Sequence, residues 1–201
     1  MIFPIKLEHS ANKDSFAYWE NFLSDEDITY LLNDNSWENT SPARIGGRAV
    51  NEQKINYEIR STNISWLYPN NENIHIWEKI SQVTSKVNNN FFKFTLTGFY
   101  EPMQLGLYSS ENNGHYDWHT DADVNDLATP RKLSMVLLLS DPSEFEGGEL
   151  QLKIGNDKPI TVELKKGRAW FFPSYILHKV TPVTKGVRKS VVLWVGGPEF
   201  K

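Results

Sequence analysis

The segment Tyr116-Asp117-Trp118-His119-Thr120-Asp121 is the most informative part of this chain. Side chains alternate between the two faces of an extended segment, so His119 and Asp121 are expected to project from the same side. Together they can bind one metal ion if a second histidine arrives from a neighbouring strand. His178, in the later segment 172–183, is the candidate for that ligand.

Two imidazoles and one carboxylate on one face of a metal leave the opposite positions open. Non-haem Fe(II) oxygenases use this ligand set, and the open positions receive a cosubstrate and O₂. Asp117 and Asp123 are alternative carboxylates, but neither occupies the His-x-Asp position. His115 has the parity to face the same site, although a solvated loop position suits it better. His9 and His75 have no predicted partner and are expected at the surface.

Residues 187–195 are expected to supply the second half of the site. They read Val-Arg-Lys-Ser-Val-Val-Leu-Trp-Val after a glycine, which is typical of a β-strand. On that strand Arg188, Ser190 and Trp194 share one face. An inward guanidinium beside a hydroxyl suits a carboxylate, which arginine binds through a two-pronged fork. A metal triad with such an arginine implies a cosubstrate with a chelating end and a distant carboxylate, and 2-oxoglutarate has both.

Composition predicts one domain with a sizeable core, since the 201 residues are 39% hydrophobic and 13% aromatic. Absence of cysteine excludes disulfides and zinc–thiolate sites. A net charge of −4 without a basic cluster disfavours nucleic acid as a partner. The apolar runs are too short to span a membrane, and residues 1–4 lack a signal-peptide pattern. We therefore expect a cytoplasmic protein, and no pattern sets an oligomeric state.

Helical patterns come early in the chain and strand patterns come late. Ser24 can cap a helix, with Leu23 and Ile28 as a hydrophobic staple, and a second helix should run from Ile74 to about Val87. Short strands are expected at 132–139, 149–154, 160–164, 169–172 and 187–195. This order predicts a mainly β, α+β fold. A double-stranded β-helix (jelly roll) of about 91–201 would rest on helical support of about 1–90, in a single domain 1–201.

An ordered set of segments carries a family resemblance, namely residues 21–24, 104–108, 116–121, 131–140, 146–150 and 172–194. Through them the chain resembles the prolyl 4-hydroxylase-like iron(II)/2-oxoglutarate dioxygenases of bacterial and viral type. Two departures stand out. Arg188 replaces the lysine that is usual in collagen-type enzymes, and residues 109–115 are slightly expanded, which loosens the match at Tyr108.

The resemblance implies the cofactors and their ligands. Fe(II) would be bound by His119, Asp121 and His178. The far carboxylate of 2-oxoglutarate would be bound by Arg188, with help from Ser190 or Tyr108. O₂ is the oxidant, and ascorbate is a candidate reductant.

The resemblance also implies a substrate, a peptide or protein that contains proline, contacted by Tyr116, Arg131 and Trp194. Aromatic faces suit a pyrrolidine ring, and proline-rich peptides are already extended. Gly196 is a departure, because some relatives carry a side chain there. Arg60 either faces the substrate cleft or solvates a strand edge, and we expect the second.

Two alternatives stay open. One is the same chemistry on a free amino acid, another side chain or a small metabolite. The other is a jelly-roll binding module without iron, which the intact triad disfavours.

Overall fold

The computed structural model describes residues 15–46, 53–122, 130–155 and 158–198, so His9 and Asp123 lie outside the described residues. Within these ranges the chain forms two α-helices and fourteen β-strands. The helices are α1 (Asp25–Leu32) and α2 (Ile74–Val87). The strands are β1 (Ala17–Trp19), β2 (Ser41–Pro42), β3 (Arg60–Ser61), β4 (Asn63–Leu67), β5 (Gly98–Phe99), β6 (Met103–Ser109), β7 (His115–His119), β8 (Arg131–Leu138), β9 (Phe145–Gly147), β10 (Leu150–Lys153), β11 (Ile160–Thr161), β12 (Ala169–Pro173), β13 (Leu177–Val180) and β14 (Val183–Gly196).

The described strands form two antiparallel sheets. The major sheet has the order β1-β12-β8-β14-β6-β4-β2, with β5 and β9 also paired to β14. The minor sheet has the order β11-β10-β13-β7-β3. The two sheets face each other as a jelly roll, which confirms the predicted architecture.

Strand β8 shows how one segment serves two cores. Its residues Leu133 and Met135 pack with Ile76 and Ile80 of α2 on the outer side of the major sheet. Val136, one position out of phase, packs toward the minor sheet with a second cluster. Side chains alternate along a strand, so one face of β8 packs against α2 and the other points toward the minor sheet. The major sheet is therefore covered on both faces, and a site can form on its inner face, between the two sheets.

Both predicted helices are confirmed. Ser24 caps α1, and its hydroxyl accepts from the Asp27 backbone N–H while the Asp27 side chain accepts from the Ser24 N–H. This reciprocal pair is the capping box that a serine followed by an acid three residues later predicts. Helix α2 presents Ile76, Ile80 and residues 83–84 to the core. Neither helix of the described residues is long and apolar enough to cross a membrane.

The region before residue 91 differs from the helical support expected of it. Besides the helices it contributes β1 and β2 to the major sheet, β3 to the minor sheet and β4 next to β6. Strands β2 and β3 are two residues long. Such strands carry no periodicity of their own, and long-range pairing decides them. The late strands lie where expected, although β14 begins earlier, at Val183.

The candidate metal and cosubstrate site

Two neighbouring strands of the minor sheet bring the metal ligands together. His119 ends β7 and lies directly opposite His178 of β13 in the ladder. The His-x-Asp parity alone would place Asp121 on the same strand as His119, but Asp121 lies in the loop that follows β7. Ligand atoms of His119, Asp121 and His178 lie within 4.8 Å of one another. The structure thus brings together the three residues that the sequence selected.

Hydrogen bonds orient both imidazoles in the same way. Nδ1 of His119 is 2.8 Å from the carbonyl oxygen of Asp117, and Nδ1 of His178 is 2.8 Å from that of Ile176. A carbonyl oxygen only accepts, so each Nδ1 donates a proton to it, and the neutral form of either ring then has its lone pair on Nε2. The Nε2 atoms face Asp121, at 3.7 Å from Oδ1 for His119 and 3.4 Å from Oδ2 for His178.

The protonation states also suit a divalent cation. Burial, together with the neighbouring His178, lowers the pKa of His119 to about 3, and Asp121 opposes this shift only in part. Burial alone would raise the pKa of Asp121, but His178, His119 and the hydroxyl of Ser134 lower it below its ordinary value. At neutral pH the cluster therefore offers a neutral His119 and an ionised carboxylate, the forms that bind metal.

Arg188 lies on the inner face of β14 and is 1% exposed. Its Nη1 donates to Ser190 Oγ at 2.9 Å, and it lies directly across the ladder from Tyr108, with 5.0 Å between its guanidinium carbon and the tyrosine ring. Within the described residues, its Nε and Nη2 have no hydrogen-bond partner. These two nitrogens form one edge of the guanidinium, the edge that binds a carboxylate through two parallel hydrogen bonds. Burial lowers the pKa of Arg188.

These residues fit both implied groups. Two nitrogen ligands and one oxygen ligand match an Fe(II) oxygenase site. A buried guanidinium with an unused two-pronged edge matches the far carboxylate of 2-oxoglutarate. The predicted shared face of Arg188, Ser190 and Trp194 is confirmed, because all three line a cavity of about 480 Å³ that also contains the triad and Tyr108.

The proposed substrate residues border the same cavity. Tyr116 stacks on the ring of His119, with centroids 3.4 Å apart and an interplanar angle of 13°. The guanidinium carbon of Arg131 lies 3.7 Å from the centre of the Trp194 ring. Arg131 also makes a two-pronged ion pair with Glu101. Two of its nitrogens therefore already have a partner, and no sequence pattern points to Glu101.

Arg60 is the clearest correction to the sequence interpretation. It does not solvate a strand edge, because it is 8% exposed and lines the cavity. Its Nη2 donates to Gln104 Oε1 at 2.9 Å, and its guanidinium carbon lies 4.3 Å from the centre of the Tyr116 ring. Within the described residues its Nε has no partner. Trp66, which packs against Trp194 at 6.4 Å between ring centres, also lines the cavity and was missed.

The remaining candidate residues lie elsewhere. Asp117 belongs to β7, but its side chain is exposed. His115 contacts the carbonyl oxygens of Asn113 and Glu58 and is not part of the metal cluster. His75 is not without a partner, since its Nε2 lies 3.1 Å from Asp27 Oδ1. That contact joins α2 to α1, which sequence spacing does not reveal.

Comparisons with known proteins agree with this geometry. Residues 103–196 match the model of the 2OG-Fe(II) oxygenase superfamily. That segment contains the triad and Arg188, so the candidate site lies within the part of the chain that is similar to this superfamily. More narrowly, the chain is similar to PKHD-type hydroxylases. It is 38% identical over 111 residues to one from Stenotrophomonas maltophilia, covering 52% of this chain and 47% of the relative. It is 34% identical over 110 residues to one from Verminephrobacter eiseniae, covering 52% and 48%. The chain thus spans about half the length of these relatives.

Solved structures show the same fold. A Pseudomonas putida prolyl-4-hydroxylase superposes with a TM-score of 0.70 at 21% identity, covering 92% of this chain and 94% of that one. A Trichoplax adhaerens prolyl hydroxylase, in complex with a peptide fragment of the hypoxia inducible factor oxygen degradation domain, superposes with a TM-score of 0.72 at 19% identity. The match covers 92% of this chain and 84% of that one. A viral collagen prolyl hydroxylase from Paramecium bursaria Chlorella virus-1, in its 2OG complex, has a TM-score of 0.67 at 20% identity. The match covers 94% of this chain and 99% of that one.

Proposed function

We propose that this protein is an Fe(II)- and 2-oxoglutarate-dependent dioxygenase that hydroxylates proline in a peptide or protein. The observation that carries the proposal is the pairing of a His-Asp-His cluster with a buried arginine whose carboxylate-binding edge has no partner in the described chain. His119, Asp121 and His178 would hold the metal, and Arg188, Ser190 and Tyr108 would hold the cosubstrate. The chemistry supplied by bound Fe(II) and 2-oxoglutarate is hydroxylation of a C–H bond by O₂, with release of CO₂ and succinate.

The chain's own task is positioning and the exclusion of water. Arg188 and Tyr108 lie on adjacent strands of the major sheet, so their spacing is fixed by the ladder. Val136, Leu150 and Val192 line the same cavity and give it apolar walls. Apolar walls strengthen the attraction between Arg188 and a carboxylate, because they keep bulk water from screening it.

The substrate assignment rests on the aromatic and basic mouth of the cavity. Tyr116, Trp194 and the partly exposed Trp66 give this part of the cavity an aromatic surface for a pyrrolidine ring, with the Tyr116 ring already held by His119 and Arg60. The N–H groups of Arg131 and Arg60 outside their bonds to Glu101 and Gln104 are donors for peptide carbonyl oxygens. A structural neighbour binds a peptide in this fold, and other neighbours are named prolyl hydroxylases. These similarities support a peptide as the substrate here.

One observation favours a second candidate, the same hydroxylation of a free amino acid. Arg60 is buried beside the ring of Tyr116 and has no carboxylate partner among the described residues. An unpaired buried guanidinium is costly, and a substrate carboxylate would offset that cost. A free amino acid carries such a carboxylate, whereas an internal proline of a peptide does not.

The test is aerobic incubation with Fe(II), 2-oxoglutarate and ascorbate, against proline-containing peptides and free amino acids, followed by mass spectrometry. We expect gain of one oxygen on a peptide proline, and none with Asp121→Asn. Arg131→Ala should impair peptide turnover more than substrate-free succinate formation. Lys185→Ala is the control, because it also removes an ion pair, with Glu146, but at an exposed position. It should change neither peptide turnover nor substrate-free succinate formation. Robust hydroxylation of a free amino acid, with the peptides untouched, would reverse the order of the two candidates.

A further inference from the structure

Two buried serines lie behind the carboxylate of Asp121. Ser134, on β8, and Ser174, in the turn between β12 and β13, are both 0% exposed. Ser134 Oγ lies 2.7 Å from Asp121 Oδ2 and 2.9 Å from Ser174 Oγ. The three side chains therefore form one short hydrogen-bonded chain that ends on the proposed metal ligand.

The direction of this chain follows from its last member. A carboxylate that binds a metal is ionised and only accepts hydrogen bonds, so the single hydroxyl proton of Ser134 points to Oδ2. Ser134 then has only lone pairs to offer Ser174, and Ser174 must be the donor in the second bond. Hydroxyls that donate in series strengthen one another, so Ser174 makes the donation from Ser134 stronger.

The backbone of Ser174 adds a second connection. Its carbonyl oxygen accepts from the N–H groups of both Asp121 and Ala122, each at 2.9 Å, and its own N–H donates to the carbonyl of Lys132 at 3.0 Å. Ser174 therefore fastens the loop that carries Asp121 to the turn that leads into the strand of His178. Residues far apart in sequence are held in one geometry by this turn.

We propose that Ser134 and Ser174 are positioning residues for the metal site. By holding Oδ2, Ser134 fixes the plane of the Asp121 carboxylate against the two histidine Nε2 atoms, and Ser174 fixes Ser134 and the Asp121 backbone. Groups behind a metal ligand set its orientation and basicity. This inference rests on the proposed function in one respect only, that the triad binds a divalent cation.

The expected effects are graded. Ser134→Ala should weaken divalent metal binding by about 10- to 100-fold, because Oδ2 loses its donor and the carboxylate can rotate. Ser174→Ala should weaken it by only about two- to fivefold, since Ser134 still donates and the Ser174 carbonyl stays. Ser134→Thr keeps the hydroxyl and should recover most of the affinity. Ser65→Ala is the matched control, because Ser65 is a buried serine of the same sheet whose Oγ has no partner in the described chain.

The experiment is anaerobic titration with Co(II), read both as affinity and as the visible absorption spectrum at saturation. A changed spectrum in Ser134→Ala reports altered ligand geometry, which a loss of fold stability alone would not produce. Melting of each metal-free variant checks the fold, and if Ser134→Ala does not fold, Ser174→Ala decides by the same two readouts. Ser134→Ala with the affinity and spectrum of Ser65→Ala would overturn the inference. Wild-type protein that binds no Co(II) would instead contradict the proposed function, because the triad would then not be a metal site.

Discussion

Replacement of Arg188 by methionine should move two measurable quantities in opposite directions. Arg188 is 1% exposed, and burial lowers its pKa, with no carboxylate of the described chain within reach of its Nε and Nη2. Without cosubstrate, this buried charge costs stability, so an apolar side chain of similar length should stabilise the protein by about 1–2 kcal/mol. For a chain of this size that raises Tm by about 2–8 °C.

With cosubstrate the order should reverse. Loss of one partner of a buried charge pair costs about 2–5 kcal/mol, or roughly 30-fold to several thousand-fold in 2-oxoglutarate affinity. Wild-type protein with Mn(II), at 2-oxoglutarate 100 times its dissociation constant, gains about 2.7 kcal/mol, hence about 5–10 °C in Tm. At the same 2-oxoglutarate concentration Arg188→Met should gain at most about 0.9 kcal/mol, and almost nothing at the upper end of that range of affinity loss. Arg188→Lys should fall between, because an ammonium keeps the charge but lacks the two-pronged edge.

The assay is thermal unfolding with Mn(II), with and without 2-oxoglutarate. Arg168→Met is the matched control, since Arg168 is also buried but is paired with Glu20 and Glu163. It should show no gain in Tm without cosubstrate and normal protection with it. If Arg188→Met melts below wild type without cosubstrate and is still protected by 2-oxoglutarate, then Arg188 is structural and the cosubstrate lies elsewhere.

Two further predictions concern the same cavity. Gly148→Ala should raise the 2-oxoglutarate dissociation constant about tenfold in calorimetry, because a Cβ there would lie 2.9 Å from Arg188 Cδ. Gly155→Ala is the control, because Gly155 has a φ of +63°, close to the +61° of Gly148, but a Cβ there would have no atom within 4 Å. An equal rise of the dissociation constant in both variants would mean that backbone strain, and not contact with Arg188, causes it. Metal-free protein should also lose stability as pH falls from about 6.5 towards 3. The unfolded chain binds a proton there that folded His119, with a pKa of about 3, does not bind. The loss should be on the order of 3 kcal/mol between pH 7 and pH 4 in urea unfolding, and clearly smaller in His119→Gln. Equal pH profiles would show that His119 titrates normally.

Local patterns were enough to predict the helices, the late strands and the residues on the inner face of β14. The capping box at Ser24 and the alternation from Arg188 to Trp194 depend on neighbours within a few positions, so the sequence alone contains them. Pairing of His178 with His119 was also predictable, because a His-x-Asp pair forms this class of metal site only with a second imidazole from a neighbouring strand.

The residues that the sequence analysis missed are placed by contacts between segments far apart in the chain. Arg60 is buried only because β3 pairs with β7 and places it opposite Tyr116. Glu101 contacts Arg131 across thirty positions of sequence, and Ser134 contacts Asp121 across thirteen. A signal did exist for Ser134, since it shares the inward parity of Val136 in a strand that was predicted. For Arg60 none existed, because a two-residue strand has no periodicity.

Strand register is therefore the quantity on which the proposed chemistry depends. A slip of one residue turns every side chain of a strand to the opposite face, so it would remove a ligand or the arginine rather than displace it slightly. Two glycines oppose such a slip where β9 meets β14. A Cβ on Gly147 would lie 2.1 Å from the carbonyl oxygen of Pro182, and one on Gly186 would lie 2.0 Å from that of Glu144. Only glycine permits this approach, and its positive φ of +76° and +71° sets the turn geometry. The ladder from Gly186 to Arg188 then leaves the guanidinium facing Tyr108, on the wall shared with the triad.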